Sequence, residues 1–314
     1  MLTGYPSPED LRTGSKRLLA QVLTRLETTS QDKQTAAFLD TLCLDPRGLV
    51  LGLTGPPGVG KSSLTDALIK AYRADGKRVA VLAIDPSSSI TGGALLGDRT
   101  RLKTDPLDDG VFVRSMAARD RLGGLSDQAV AAITVLRAVV DRVIVETVGI
   151  GQSEGDLKHA VDTVLLCIQP GSGDSLQFMK AGIMELPDLV AVTKSDLGVL
   201  ARRASSDVTG ALSLAHTGGQ GWTIPVAEVS AHTGAGIEEL IANADAHRVY
   251  LEQSGLIPRR RVQHVAWFTD MVRTEFGRAG LALLPAGEWT ARAANAPFGC
   301  FLDFAGVIEK RLQS

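Results

Sequence analysis

"GLTGPPGVGKSSL", residues 52–64, stands directly behind the apolar run Leu49 to Leu53 and directly ahead of a helix-like segment. Gly55, Gly60, Lys61 and Ser62 match the spacing G-x-x-x-x-G-K-S/T. Glycines at those places let successive backbone N–H groups wrap phosphate oxygens. The lysine reaches the β- and γ-phosphates, and the serine hydroxyl ligates Mg²⁺. The amides that open the following helix point at the same anion. The candidate cradle for a nucleoside triphosphate is therefore Gly55, Gly58, Val59, Gly60, Lys61, Ser62 and Ser63. A glycine-rich turn between core elements is the plain alternative, and the strand before and helix after favour the nucleotide reading.

Outward from this loop the same alternation continues. Apolar β-type runs, LVLGLTG, RVAVLAID, VFVRSM, RVIVETVG, TVLLCIQP, LVAVTKSD and TIPVAEVSA, are separated by stretches such as 61–75, 125–140, 199–215 and 236–253 that have helical length. Runs so continuously apolar suit strands covered on both faces, which predicts an α/β fold with a mainly parallel sheet flanked by helices. Leu18, Leu19, Val22, Leu23 and Leu26, then Ala37, Phe38 and Leu42, recur at helical spacing ahead of the sheet. "LIPRRRVQHVAWFTDMVRTEF" reads as a last helix, and the tail from Leu281 is poorly patterned. The expected division is a helical extension over 1–46, a nucleotide-binding domain over 47–250 and a C-terminal helical arm over 251–314.

The composition sets broad limits. The 314 residues are 44% hydrophobic, enough for a sizeable core, and 33 Lys plus Arg against 35 Asp plus Glu leave a formal charge of −2. That balance predicts neither a nucleic-acid coat nor a membrane-surface protein. The N-terminus has no apolar signal core and no window approaches 18 uninterrupted apolar residues, so the expected location is the cytoplasm. Cys43, Cys167 and Cys300 lie far apart and read as small buried apolar residues. Arg259, Arg260 and Arg261, like Arg114, Arg119 and Arg121, read first as charged surface.

Three acidic residues compete for a metal at the carboxyl ends of strands: Asp85, Asp98 and Glu146. Gly149, just after Glu146, is placed to sense a γ-phosphate through its amide, and Gln152 stands near enough in sequence to orient water. Base choice falls to Thr193, Lys194 and Asp196. An aspartate there accepts from guanine N1 and the exocyclic amine while the lysine stem covers the ring. Ser230 and Ala231 offer backbone to the guanine carbonyl. GTP is favoured over ATP, and "TKSD" as an ordinary strand-to-helix cap is the competing reading.

Taken together, "GPPGVGKSS", "IDPSSSITGGALLGDRTR", "RSMAARDRLGGLS", "VETVGIGQSE" and "QPGSGDSLQFMKAGIMELPDLVAVTKSD" resemble the GTPases associated with methylmalonyl-CoA mutase, the MeaB/ArgK-type G proteins, over about residues 12 to 275. The resemblance implies a P-loop GTPase that acts as a homodimeric chaperone of an adenosylcobalamin-dependent acyl-CoA mutase. It implies GTP/GDP and Mg²⁺ as ligands, with Ser62, Asp85, Asp98 and Glu146 facing the metal. Lys61, Asp98, Glu146 and Gly149 would then serve hydrolysis. A partner-responsive segment matches Gln169 to Gly182, with Asp174, Gln177 and Lys180 as the residues that would complete the site, and a dimerisation arm would begin near Leu251. This chain carries Thr193 where the family usually has Asn, and His232 where it usually has Lys. Its tail beyond Gly280 departs from the family pattern.

Two other functions use the same loop. A metal-delivery GTPase needs a Cys/His cluster, and His159, His216, His232, His247 and His264 are dispersed along the chain. A small-molecule kinase needs an acceptor pocket and a lid, and a phosphate sensor followed by guanine-selective segments is better matched to a switch.

Overall fold

Strand β1 (Leu49–Thr54) is buried at every position, as a strand covered on both faces must be. It lies between β4 (Arg142–Glu146) and β5 (Thr163–Ile168), both parallel to it, and Leu53 stands opposite Glu146 on one side and Leu165 on the other. β2 (Val79–Asp85), β3 (Val111–Ala117), β6 (Leu189–Val192) and β7 (Val226–Glu228) extend the sheet to seven strands in the order β3-β2-β4-β1-β5-β6-β7. Every pairing is parallel, and each strand is one of the seven apolar runs of the sequence. The computed structural model describes residues 4–28, 32–85, 102, 104–105, 107–118, 125–147, 157–171, 185–215, 221–284 and 287–312.

Two compact units divide the chain. One comprises Leu49–Ser126 and Asp141–Ser254 and holds the sheet. The helices named in it here are α4 (Lys61–Ala74), α6 (Val199–Ala215) and α7 (Ile237–Ser254). Leu64, Leu68, Ile69 and Tyr72 of α4 and Ile237, Leu240 and Ala244 of α7 bury against Leu51, Leu53, Leu165 and Ala191 of the sheet. Each fully buried aliphatic side chain contributes about 1.5–3 kcal/mol of transfer free energy. Arg142 pins this layer, pairing with Asp245 at 2.6 Å and lying over the Tyr72 ring. With β1 the first strand and its neighbours drawn from later in the chain, strand order reverses beside it. Ligands in such sheets bind at the carboxyl ends of the strands at this point.

The other unit gathers Met1–Gly48, Asp127–Val140 and Gly255–Ser314. α1 (Pro8–Thr13) opens with a Ser7/Asp10 capping box and Pro8, and α3 (Lys33–Leu44) is capped by Asp32. α2 (Lys16–Thr28) and α5 (Asp127–Val139) pack with them. Arg12 donates to the Ala138 carbonyl and to Asp45, and the fully buried Arg137 lies 5.9 Å over the Trp267 ring. α8 (Leu256–Ala282) bends at Gly277 and is followed by α9 (Glu288–Ala293) and α10 (Pro297–Leu312). The tail that reads as unpatterned is thus mostly helical. Phe298, Phe304 and Ile308 are buried, and Asp40 of α3 accepts from the Phe298 and Gly299 amides at the start of α10. Gly299 and Gly306 within that helix blur its apolar stripe in the sequence. The 127–140 segment joins the two terminal extensions here, a grouping with no mark in the sequence. Among the described residues no helix is long and apolar enough to cross a membrane.

Candidate functional site

The loop from β1 to α4 turns on Gly55. Its φ is 140°, and a Cβ there would stand 2.3 Å from the Cys167 carbonyl of β5, so only glycine fits. Cys167 beneath it is fully buried, which pushes its thiol up to about 12 and leaves it unreactive. Lys61, the first residue of α4, is nearly buried and donates to the Gly55 carbonyl at 2.7 Å and the Pro56 carbonyl at 3.1 Å. The ammonium thus curls back over its own loop, in reach of any anion the loop encloses.

Beside it, Ser62 donates to Oε1 of Glu146 at 2.7 Å and Thr65 donates to Oε2 at 2.9 Å. Glu146 is buried at the end of β4, and Thr65 is wholly buried. A hydroxyl has one proton and two lone pairs, so Ser62, with its proton committed to Glu146, presents lone pairs to a cation. This hard, oxygen-only donor set suits Mg²⁺. Thr65 was not singled out in the sequence. Its position three residues after Ser62, on the same helical face, is the signal that would have found it. Asp85 ends β2, two residues beyond the Ala83 that pairs with Glu146. Asp98, Gly149, Gln152, Asp174, Gln177 and Lys180 lie outside the described residues.

The segments expected to read the base converge from β6 and β7. Thr193 is buried, and its hydroxyl donates to the Val59 carbonyl at 2.7 Å with the Ile168 carbonyl at 3.1 Å, so it ties neighbouring loops together. Lys194 donates to the Gly58 carbonyl at 3.1 Å and to the side-chain oxygen of Gln169 at 2.6 Å. Ser230 donates to Asp196 at 2.7 Å. That bond, then the residue's own backbone N–H and the charges of His232 and Lys194, hold the Asp196 carboxyl below its ordinary 3.8. Gly236, at φ 73°, sits where a Cβ would meet the Glu228 carbonyl at 2.0 Å, which closes the turn presenting Ser230 and Ala231. Between α4 and this turn lies a cleft of about 720 Å³ lined by Ser63, Asp66, Lys70, Ala231, His232 and Glu238; Lys61, Thr193, Lys194 and Asp196 do not line it.

The sequence profile of the methylmalonyl-CoA mutase-associated GTPase MeaB family matches residues 19–280. The chain belongs to this family. A Pyrococcus horikoshii relative that carries a GTPase name is 41% identical over 261 residues, covering 81% of this chain and 80% of that one. The mitochondrial methylmalonic aciduria type A homolog of Mus musculus is 35% identical over 277 residues, 83% of this chain and 67% of that one. Among solved structures, a LAO/AO transport system kinase superposes with a TM-score of 0.68 at 26% identity, covering 96% of both chains. The fold is that of a P-loop GTPase, and the MeaB family is one of GTP hydrolases.

Proposed function

We propose that this chain binds GTP with Mg²⁺, hydrolyses it, and through that cycle gates adenosylcobalamin delivery to a B12-dependent acyl-CoA mutase of the methylmalonyl-CoA mutase type. The same cycle protects or reactivates that mutase. The protein acts in the cytoplasm as a homodimer, with the C-terminal helices as the dimerisation arm. The observation that carries the reading is the Ser62–Glu146–Thr65 cluster beside Lys61, on a chain whose family profile names the mutase-associated GTPases.

Each residue has a role in this reading. Lys61 exchanges the Gly55 and Pro56 carbonyls for β- and γ-phosphate oxygens, and the loop amides take the remaining charge. Ser62, oriented by Glu146, would hold Mg²⁺, with Asp85 and Asp98 as further metal-facing carboxylates, and the ion would supply charge neutralisation to the phosphates. Gly149 senses the γ-phosphate. Asp196 accepts from guanine N1 and the exocyclic amine, an edge adenine does not offer, and Lys194 covers the ring.

Mg²⁺-dependent turnover of GTP, with ATP as control, tests this in the protein alone and with an adenosylcobalamin-dependent acyl-CoA mutase added. A slow GTP-specific rate that rises several-fold with the mutase is expected. Preference for ATP, or indifference to every such mutase, overturns the chaperone reading.

A further inference from the structure

Thr193 and Lys194 are consecutive residues at the end of β6, and each bridges the same two neighbouring loops. Thr193 reaches the Val59 and Ile168 carbonyls, and Lys194 reaches the Gly58 carbonyl and Gln169. These ties form two rungs across the carboxyl edge, from the phosphate loop after β1 to the end of β5. Three of the four acceptors are backbone carbonyls, which any sequence would supply. The fourth, the Gln169 side-chain oxygen, is the one that a residue choice sets. Lys194 is also, among the described residues, the one non-glycine residue with positive φ, at 56°. Its backbone is held there by Ser195 N–H donating to Val229 and Leu197 N–H donating to Lys194. The backbone fixes where the side chain starts, and the two acceptors fix where its ammonium ends.

We infer that Gln169 is a positioning residue for nucleotide retention: with the Gly58 carbonyl it holds the Lys194 ammonium, so that the lysine stem lies as a fixed wall for the purine. This rests on the guanine-nucleotide reading of the site above. Asp196 reads the guanine edge through a separate hydrogen bond network with Ser230. Gln169 therefore governs how long a purine nucleotide stays, and leaves the choice between guanine and adenine to Asp196. A surface lysine–glutamine pair at random contributes little. Here the lysine is already anchored at its backbone and at Gly58, so little side-chain freedom remains to be lost when Gln169 engages it.

Stopped-flow release of a fluorescent GDP analogue, with Mg²⁺ present and excess unlabelled GDP as chase, tests the inference on the full chain. Gln169→Ala is expected to release nucleotide about five- to ten-fold faster, the loss of one hydrogen bond to a charged group discounted for exposure. Gln169→Glu, which keeps an acceptor, is expected to restore the wild-type rate or slow it further. On a Lys194→Ala background, Gln169→Ala is expected to add less than about two-fold, because its target is gone. The GDP-to-ADP affinity ratio is expected to hold in Gln169→Ala. An unchanged release rate in Gln169→Ala, or an equal effect with and without Lys194, overturns the inference while leaving the nucleotide site in place. Failure of the wild type itself to retain the GDP analogue overturns the nucleotide reading and this inference with it.

Discussion

Replacing Thr193 by valine separates two roles for this residue. The side chain is buried and its hydroxyl donates to the Val59 carbonyl at 2.7 Å, with the Ile168 carbonyl at 3.1 Å. Valine keeps the shape and opens no cavity, so the whole effect is polar. Losing the bond costs about 1 kcal/mol, and weakening the satisfaction of a buried carbonyl adds about 1 kcal/mol more. The Ile168 carbonyl keeps the Thr193 backbone N–H at 2.8 Å, so the second contribution falls on the Val59 carbonyl alone. The sum, about 2 kcal/mol, corresponds to a fall in melting temperature of about 3 °C when all 314 residues unfold together. Differential scanning fluorimetry without nucleotide measures it directly. Titration with GTP and ATP analogues measures selectivity in the same samples. The expected result is a lower melting temperature, weaker binding of both nucleotides and an unchanged guanine preference. A melting temperature within about 1 °C of wild type together with lost guanine preference refutes the loop-tie role and makes Thr193 a base contact.

Other perturbations follow from the same geometry. Glu146→Gln keeps the shape but turns one oxygen into a donor, so either Ser62 or Thr65 must accept instead of donate. GTP turnover is expected to fall about 100-fold, with its Mg²⁺ dependence moved to higher concentration. Circular dichroism is expected to stay native because relief of a buried charge offsets the weaker bonds. Gly55→Ala forces a Cβ to 2.3 Å from the Cys167 carbonyl at a φ of 140°, and is expected to lower the urea midpoint and abolish nucleotide binding. On the proposed reading Asp196, whose carboxyl is held below 3.8, accepts from guanine only when charged, so guanine retention is expected to be flat from about pH 8 to about pH 5 and to fail as pH drops through the lowered value. Ser230→Ala removes the largest cause of the lowering, and the acid limb of the binding curve is expected to move to higher pH.

The strands were legible because burial on both faces leaves no polar alternation: RVIVE and TVLLCI read as sheet interior and are buried at every position. The same property hid the placement of α5. Ala129, Ala131, Ala132, Ile133, Val135, Leu136, Ala138 and Val139 are all buried, so no polar face marks which neighbours it takes. At the candidate site, Lys61, Ser62, Lys194 and Asp196 stand out as candidates in the sequence because their motifs are local. The bonds that position them do not: Glu146 meets Thr65 across 81 residues of chain and Gln169 meets Lys194 across 25. Single-sequence patterns carry periods of two to four residues, and contacts of that separation are set by strand order.

Strand order also explains what the Thr193 side chain affects. β1, β5 and β6 are adjacent, so the first residue past β6 stands beside the end of β5 and the loop after β1 whatever its side chain. A donor is needed there because carbonyls converge from both. The threonine hydroxyl brings one donor, its single O–H, to that place. Thr193 therefore bears on how tightly the phosphate loop is held to the end of β5, which is the property Lys194 and Gln169 supply one residue further on. On the proposed reading guanine selectivity rests with Asp196 and Ser230, whose bond does not pass through Thr193, and is expected to survive loss of the Thr193 hydroxyl.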